Sequence, residues 1–147
     1  MSLQDDIGAA IVLVLQASPF TNYLGAVGYG WHTSAAGKDS NGVCVVAPVG
    51  SDSGEVLDDS RRNDYIFHLQ ISLADRSAHT RFTGLMHGIA AVFNPASRTL
   101  QASFTNTSGK ALTPTLVPSF SQLEPERDNP NAPDLLIEVT VTTWSST

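Results

Sequence analysis

From Tyr65 onward the chain alternates cleanly between apolar and polar positions. Tyr65, Phe67, Leu69, Ile71 and Leu73 take one side, and Ile66, His68, Gln70 and Ser72 take the other. Strict alternation over this length predicts a strand with one buried face. The polar segment Asp75–Ala78 reads as a turn, and Thr80–Gly88 reads as a second arm folded back on the first. In that register Ile71 faces Phe82 and Phe67 faces Met86 on the apolar side. The other side gathers His68, Gln70, Ser72, Arg81, Thr83 and His87.

The same reading extends along the rest of the chain. Ile7–Leu15 is nine residues without a polar side chain and is expected to be a buried central strand. Leu24–His32 is expected as a strand with Val27, Tyr29 and Trp31 on one side, and its three glycines suggest close approach by other groups. Gly42–Pro48 is a further strand. Gly50–Asn63 is charged and reads as a surface loop. Asn94–Arg98 is a turn by composition, and Thr99–Thr105 alternates as a strand. Leu112–Leu123 carries Pro114 and Pro118, so it belongs at a sheet edge or is broken. Asp134–Trp144 closes the chain as a last strand. About eight strands with turns every ten residues or so predict a single all-β domain over residues 1–147, an antiparallel β-sandwich or small β-barrel.

Composition narrows the functional classes. Charged residues make up only 15% of the chain, with 8 basic against 14 acidic and a net charge of −6. That disfavours nucleic acid, whose affinity rests on lysine and arginine. The apolar run at the N-terminus is too short to span a bilayer. It follows Asp5 and Asp6, where a secretion signal would carry positive charge. A soluble, acidic, cytoplasmic protein is expected. Cys44 is the only cysteine and lies in an apolar stretch, so no disulfide forms within the chain.

Candidate chemistry is sparse. The four histidines show no close-spaced ligand pattern, so no metal is expected. Gly50-Ser51-Asp52-Ser53-Gly54 has the glycines of a nucleophile elbow, with aspartate where serine is needed. No glycine-rich nucleotide loop is present, and no cofactor is expected. Two functional readings follow. The first is a non-enzymatic β-sandwich module that binds a carbohydrate or another small polar ligand, or assembles with copies of itself. Its lectin-like site is expected from Tyr29, Trp31, His32, Gln70 and Thr83. The alternative is a small cofactor-independent β-barrel enzyme of cyclase or isomerase type. There His68 and His87 exchange protons and Arg81 stabilises developing negative charge. The two differ in where the His68, Arg81 and His87 face points: an enclosed cavity favours the enzyme or a ligand carrier, and bulk water counts against it.

Overall fold

The computed structural model describes residues 3–17, 20–30, 42–57, 60–72, 79–108, 115–124 and 135–146. It is a mixed α/β structure. One five-stranded sheet carries three α-helices, in the order α1 (Leu3–Leu15), β1 (Leu24–Tyr29), β2 (Gly42–Leu57), β3 (Ser60–Ser72), α2 (His79–Val92), α3 (Thr99–Ser108), β4 (Thr115–Leu123) and β5 (Leu135–Ser146). A short 3₁₀ turn at Phe20–Asn22 leads into β1. The strands are ordered β1-β2-β3-β5-β4. The β1–β2 pair is parallel and the other three pairs are antiparallel. The all-β expectation, whether sandwich or barrel, is therefore corrected: the sheet is open, and helices form the second layer.

Three segments expected as strands are helices. In α1 the buried residues Ile7, Ala10, Ile11, Val14 and Leu15 follow the i, i+3, i+4, i+7, i+8 spacing of a helix face. A short all-apolar run carries no period of its own, so periodicity could not separate the two structures. The signal available was Asp5 and Asp6 in the first turn, where the positive end of the helix dipole favours carboxylates. In α2 the strand reading rested on Thr80, Phe82, Gly84, Met86 and Gly88, of which only two are large and apolar. The residues that bury are Leu85, Ile89 and Phe93, four apart. In α3 Leu100 and Phe104 are fully buried while Ala102 between them is exposed, again a spacing of four.

The hairpin expected between residues 65–73 and 80–88 does not exist. The first arm is a strand with the expected faces, since Phe67, Leu69 and Ile71 are all fully buried. Its partners are β2, where Cys44 opposes Ile71 and Val46 opposes Leu69, and β5, where Ile137 opposes Leu69 and Val139 opposes Phe67. The expected charged loop at 50–63 is instead the far end of that β2–β3 pairing, with Ser51 opposite Tyr65 and Leu57 opposite Ser60. Strands β1, β2 and β5 stand within or across the expected segments 24–32, 42–48 and 134–144, of which residues 31, 32 and 134 lie outside the described residues, and the proline-bearing strand is β4 at the sheet edge. The turn after α2 is built by Asn94. Its side-chain carbonyl accepts the Ala96 N–H at 2.9 Å, and its amide donates to the Ala90 and Ala91 carbonyls at 2.9 Å, the local bonding that makes Asn a turn residue.

One hydrophobic cluster joins the helices to one face of the sheet. Ile7, Ile11 and Leu15 of α1 meet Leu85 and Ile89 of α2, Leu100 and Phe104 of α3, Cys44 and Val46 of β2, and the inward residues of β3 and β5. Each such side chain contributes about 1.5–3 kcal/mol by leaving water. The other face of the sheet holds Val45, Ala47, Ile66, His68, Gln70, Leu136 and Glu138. None of these belongs to that cluster, and no described helix packs there.

Candidate functional site

The expected site residues fall in three places. His68 and Gln70 lie on β3, on the face away from the helices, because they alternate with the buried Phe67, Leu69 and Ile71. Arg81, Thr83 and His87 lie on α2, whose apolar side joins the core on the opposite face of the sheet. Thr83 and His87 are exposed. Tyr29 lies on β1 and packs toward the helices. Trp31 and His32 lie outside the described residues. His68 thus stands on a strand and Arg81 and His87 on a helix. Once Thr80–Gly88 is a helix, residues two apart no longer share a face, and the hairpin register that grouped the three does not apply.

His68 has a different partner. Glu138 stands opposite it on β5, and His68 Nε2 lies 3.2 Å from Glu138 Oε2, with the two side chains 23% and 34% exposed. Further along the same face Arg62 forms a two-pronged contact with Asp64 at 3.2 and 3.3 Å. Thr142 on β5 donates to Asp64 at 2.8 Å. These are cross-strand and same-strand pairs that satisfy one another. They tie β3 to β5. No group of three or more histidine, cysteine or carboxylate side chains converges among the described residues. The carboxylate partner of His68 was legible only as a residue of the last strand. Its register against β3 is a tertiary fact.

Cys44 is wholly buried, and burial pushes its thiol up to about 12. A thiol held protonated is not a nucleophile, which agrees with the reading of Cys44 as an inert core residue.

A groove of about 500 Å³ is lined by Asp5, Ala9, Val12, Leu13 and Tyr29. It lies where the outer flank of α1 meets β1. The spacing of α1 explains it. When Ile7, Ala10, Ile11, Val14 and Leu15 turn inward, Ala9 and Val12 are left half-buried on the flank and Leu13 is left exposed, and the sequence supplies no polar residue for those positions. Leu13 is 47% exposed. The groove's polar groups are already engaged with each other, since the Tyr29 hydroxyl donates to Asp5 Oδ1 at 3.0 Å. Burial, and then the Asp5 carboxylate that accepts its proton, push the Tyr29 phenol well above its ordinary range. Gly8 makes this closeness feasible, because a Cβ there would collide with the Tyr29 ring. Sequence reasoning named Tyr29 as a ligand-binding residue. It missed Ala9, Val12 and Leu13, whose signal was the uninterrupted apolar run.

Neither protein-family models nor curated proteins match this chain. Among the described residues no helix is long and apolar enough to cross a membrane.

Proposed function

We propose that the chain is a non-enzymatic binding or assembly module that works through the α1–β1 flank. The observation that carries this reading is the outer stripe of α1. A helix on the surface of a two-layer fold ordinarily turns a polar stripe to water, and a helix apolar all round is ordinarily covered all round. Here Ala9, Val12 and the half-exposed Leu13 face outward beside Tyr29. An apolar flank of this kind is a site for a partner with an apolar surface, and a second copy of the chain is the first partner to test.

The flank is poorly suited to a carbohydrate. A sugar needs hydrogen-bonding groups beside a stacking surface, whereas the Tyr29 hydroxyl and Asp5 are bonded to each other. The small-ligand form of the proposal therefore favours an apolar ligand over a polar one. The enzyme alternative needed His68, Arg81 and His87 in one enclosure, and His68 stands on a strand while Arg81 and His87 stand on a helix.

Native mass spectrometry and light scattering of the full chain across a hundredfold concentration range test the reading, with Leu13→Asp beside the parent. Concentration-dependent association of the parent that is lost in Leu13→Asp is the expected result. A parent that stays monomeric, and that binds neither hydrophobic dye nor apolar resin any better than Leu13→Asp does, would overturn it.

A further inference from the structure

An open sheet exposes unpaired backbone groups along its margins, and these invite another strand to add on. In this fold the sheet ends on β1 and β4, and the outer side of β2 is uncovered by β1 beyond Val46. On β1 the Gln16 side-chain amide donates to the Val27 carbonyl at 3.4 Å. The β4 and β2 margins each carry two further features, two residues apart. On β4 the Leu116 N–H bonds to Gln101 Oε1 of α3 at 2.7 Å, so Leu116 turns its backbone away from β5. Backbone groups alternate in direction along a strand, so the next outward position is Pro118, which has no N–H to offer. On β2 the Val46 carbonyl accepts the Gly30 N–H at 2.9 Å, so Val46 faces the outer margin. The next outward position is Pro48. Two residues on, the Gly50 carbonyl accepts the Gln4 side-chain amide of α1 at 3.4 Å. The β2–β3 pairing also shifts register between Pro48 and Gly50, which leaves Val49 as a bulge.

We propose that Gln101 with Pro118 on β4, and Gln4 with Pro48 on β2, are paired guards that close these two margins to strand addition. In each pair the proline deletes a donor, and the helix glutamine occupies the neighbouring backbone group with a bond a strand would otherwise make. The helices thus cap the sheet at its sides as well as covering its face. A partner is left to dock through side chains, as at the α1 flank, and not by lengthening the sheet. The β4 guard holds whether or not the flank binds anything.

Two variants of β4 test this. Gln101→Leu removes the acceptor, and Gln101→Glu keeps a carboxylate oxygen in its place. In Gln101→Leu the Leu116 amide is expected to exchange with deuterium roughly threefold to tenfold faster, the loss of one net hydrogen bond. Gln101→Glu is expected to keep the parental rate. The double variant Gln101→Leu/Pro118→Val restores both outward donors. It is expected to form β-rich assemblies that bind thioflavin and grow with concentration, under conditions where the parent and Gln101→Glu do not. Unchanged Leu116 exchange in Gln101→Leu would overturn the proposal. So would a folded double variant that forms no more assemblies than the parent.

Discussion

Helices α1 and α3 pack against each other and the same core, yet they meet water differently. The Ser103 hydroxyl of α3 donates to the Ala10 carbonyl of α1 at 2.9 Å, so the two helices are close neighbours. Helix α3 buries Leu100 and Phe104 and turns Ala102 and Asn106 outward. Its outer side is small and polar. Helix α1 buries its inner stripe just as fully but leaves Val12 and Leu13 on its flank. The inner stripes are alike because one core sets the same demand on both helices. The outer stripes differ because nothing in the fold asks for apolar residues there. An apolar outer residue therefore points beyond the fold, and that is the ground for proposing the α1 flank as the docking site.

The comparison can be broken most severely from inside. Phe104→Ala is expected to destabilise the fold by about 3–5 kcal/mol, because a fully buried ring leaves a cavity among close-packed neighbours. Chemical denaturation monitored by circular dichroism measures it. A loss below about 1 kcal/mol would mean that α3 does not share the core with α1.

Gly8→Val comes next. The new side chain meets the Tyr29 ring, and overpacking of this sort costs about 1–3 kcal/mol. It should also push the ring outward and reshape the groove. Tyr29→Phe is milder, at about 0.5–1.5 kcal/mol, the net worth of one hydrogen bond. The smallest effect on folding is the most telling one. Leu13→Asp on α1 and Ala102→Asp on α3 should each change stability by no more than about 0.5 kcal/mol, as exposed substitutions do. Only the α1 change is expected to alter association. Equal effects of the two on association would erase the difference between the helices.

Acidity offers a further check on the core. The Cys44 thiol is raised from its ordinary 9.0 to about 12 in the folded chain. The folded state therefore holds its proton where the unfolded chain releases it. Its contribution to stability is complete below about pH 9 and is lost as the pH rises from there toward 12. Denaturation midpoints measured at pH 8 and pH 10.5 should fall in that order. A thiol reagent at pH 8 should label Cys44 only after unfolding. Rapid labelling of the native chain would contradict the burial of β2.

Strands were legible where the chain itself carried a period of two. Phe67, Leu69 and Ile71 alternate with His68 and Gln70, and no neighbour is needed to see which side is greasy. Pro118 marked an edge because a missing N–H is a covalent fact. The same logic failed for Thr80–Gly88. There glycines and threonines were counted as members of an alternating face, while Leu85, Ile89 and Phe93 kept a spacing of four. It failed for Ile7–Leu15 because an all-apolar run fits either structure. The candidate site was less legible than the fold. His68, Arg81 and His87 were grouped by a register that required two paired strands, and one of the two is a helix.

The residues alone determined that Tyr65–Ile71 is amphipathic with period two and that the proline-bearing segment is either an edge strand or broken. These follow from side-chain chemistry and local backbone geometry, which do not depend on distant partners. Only the tertiary structure decided that β3 lies between β2 and β5, that Glu138 meets His68, and that α1 rather than a strand covers Cys44 and Val46. Those choices rest on which distant surfaces bury the most apolar area together, and a linear pattern carries no record of that competition.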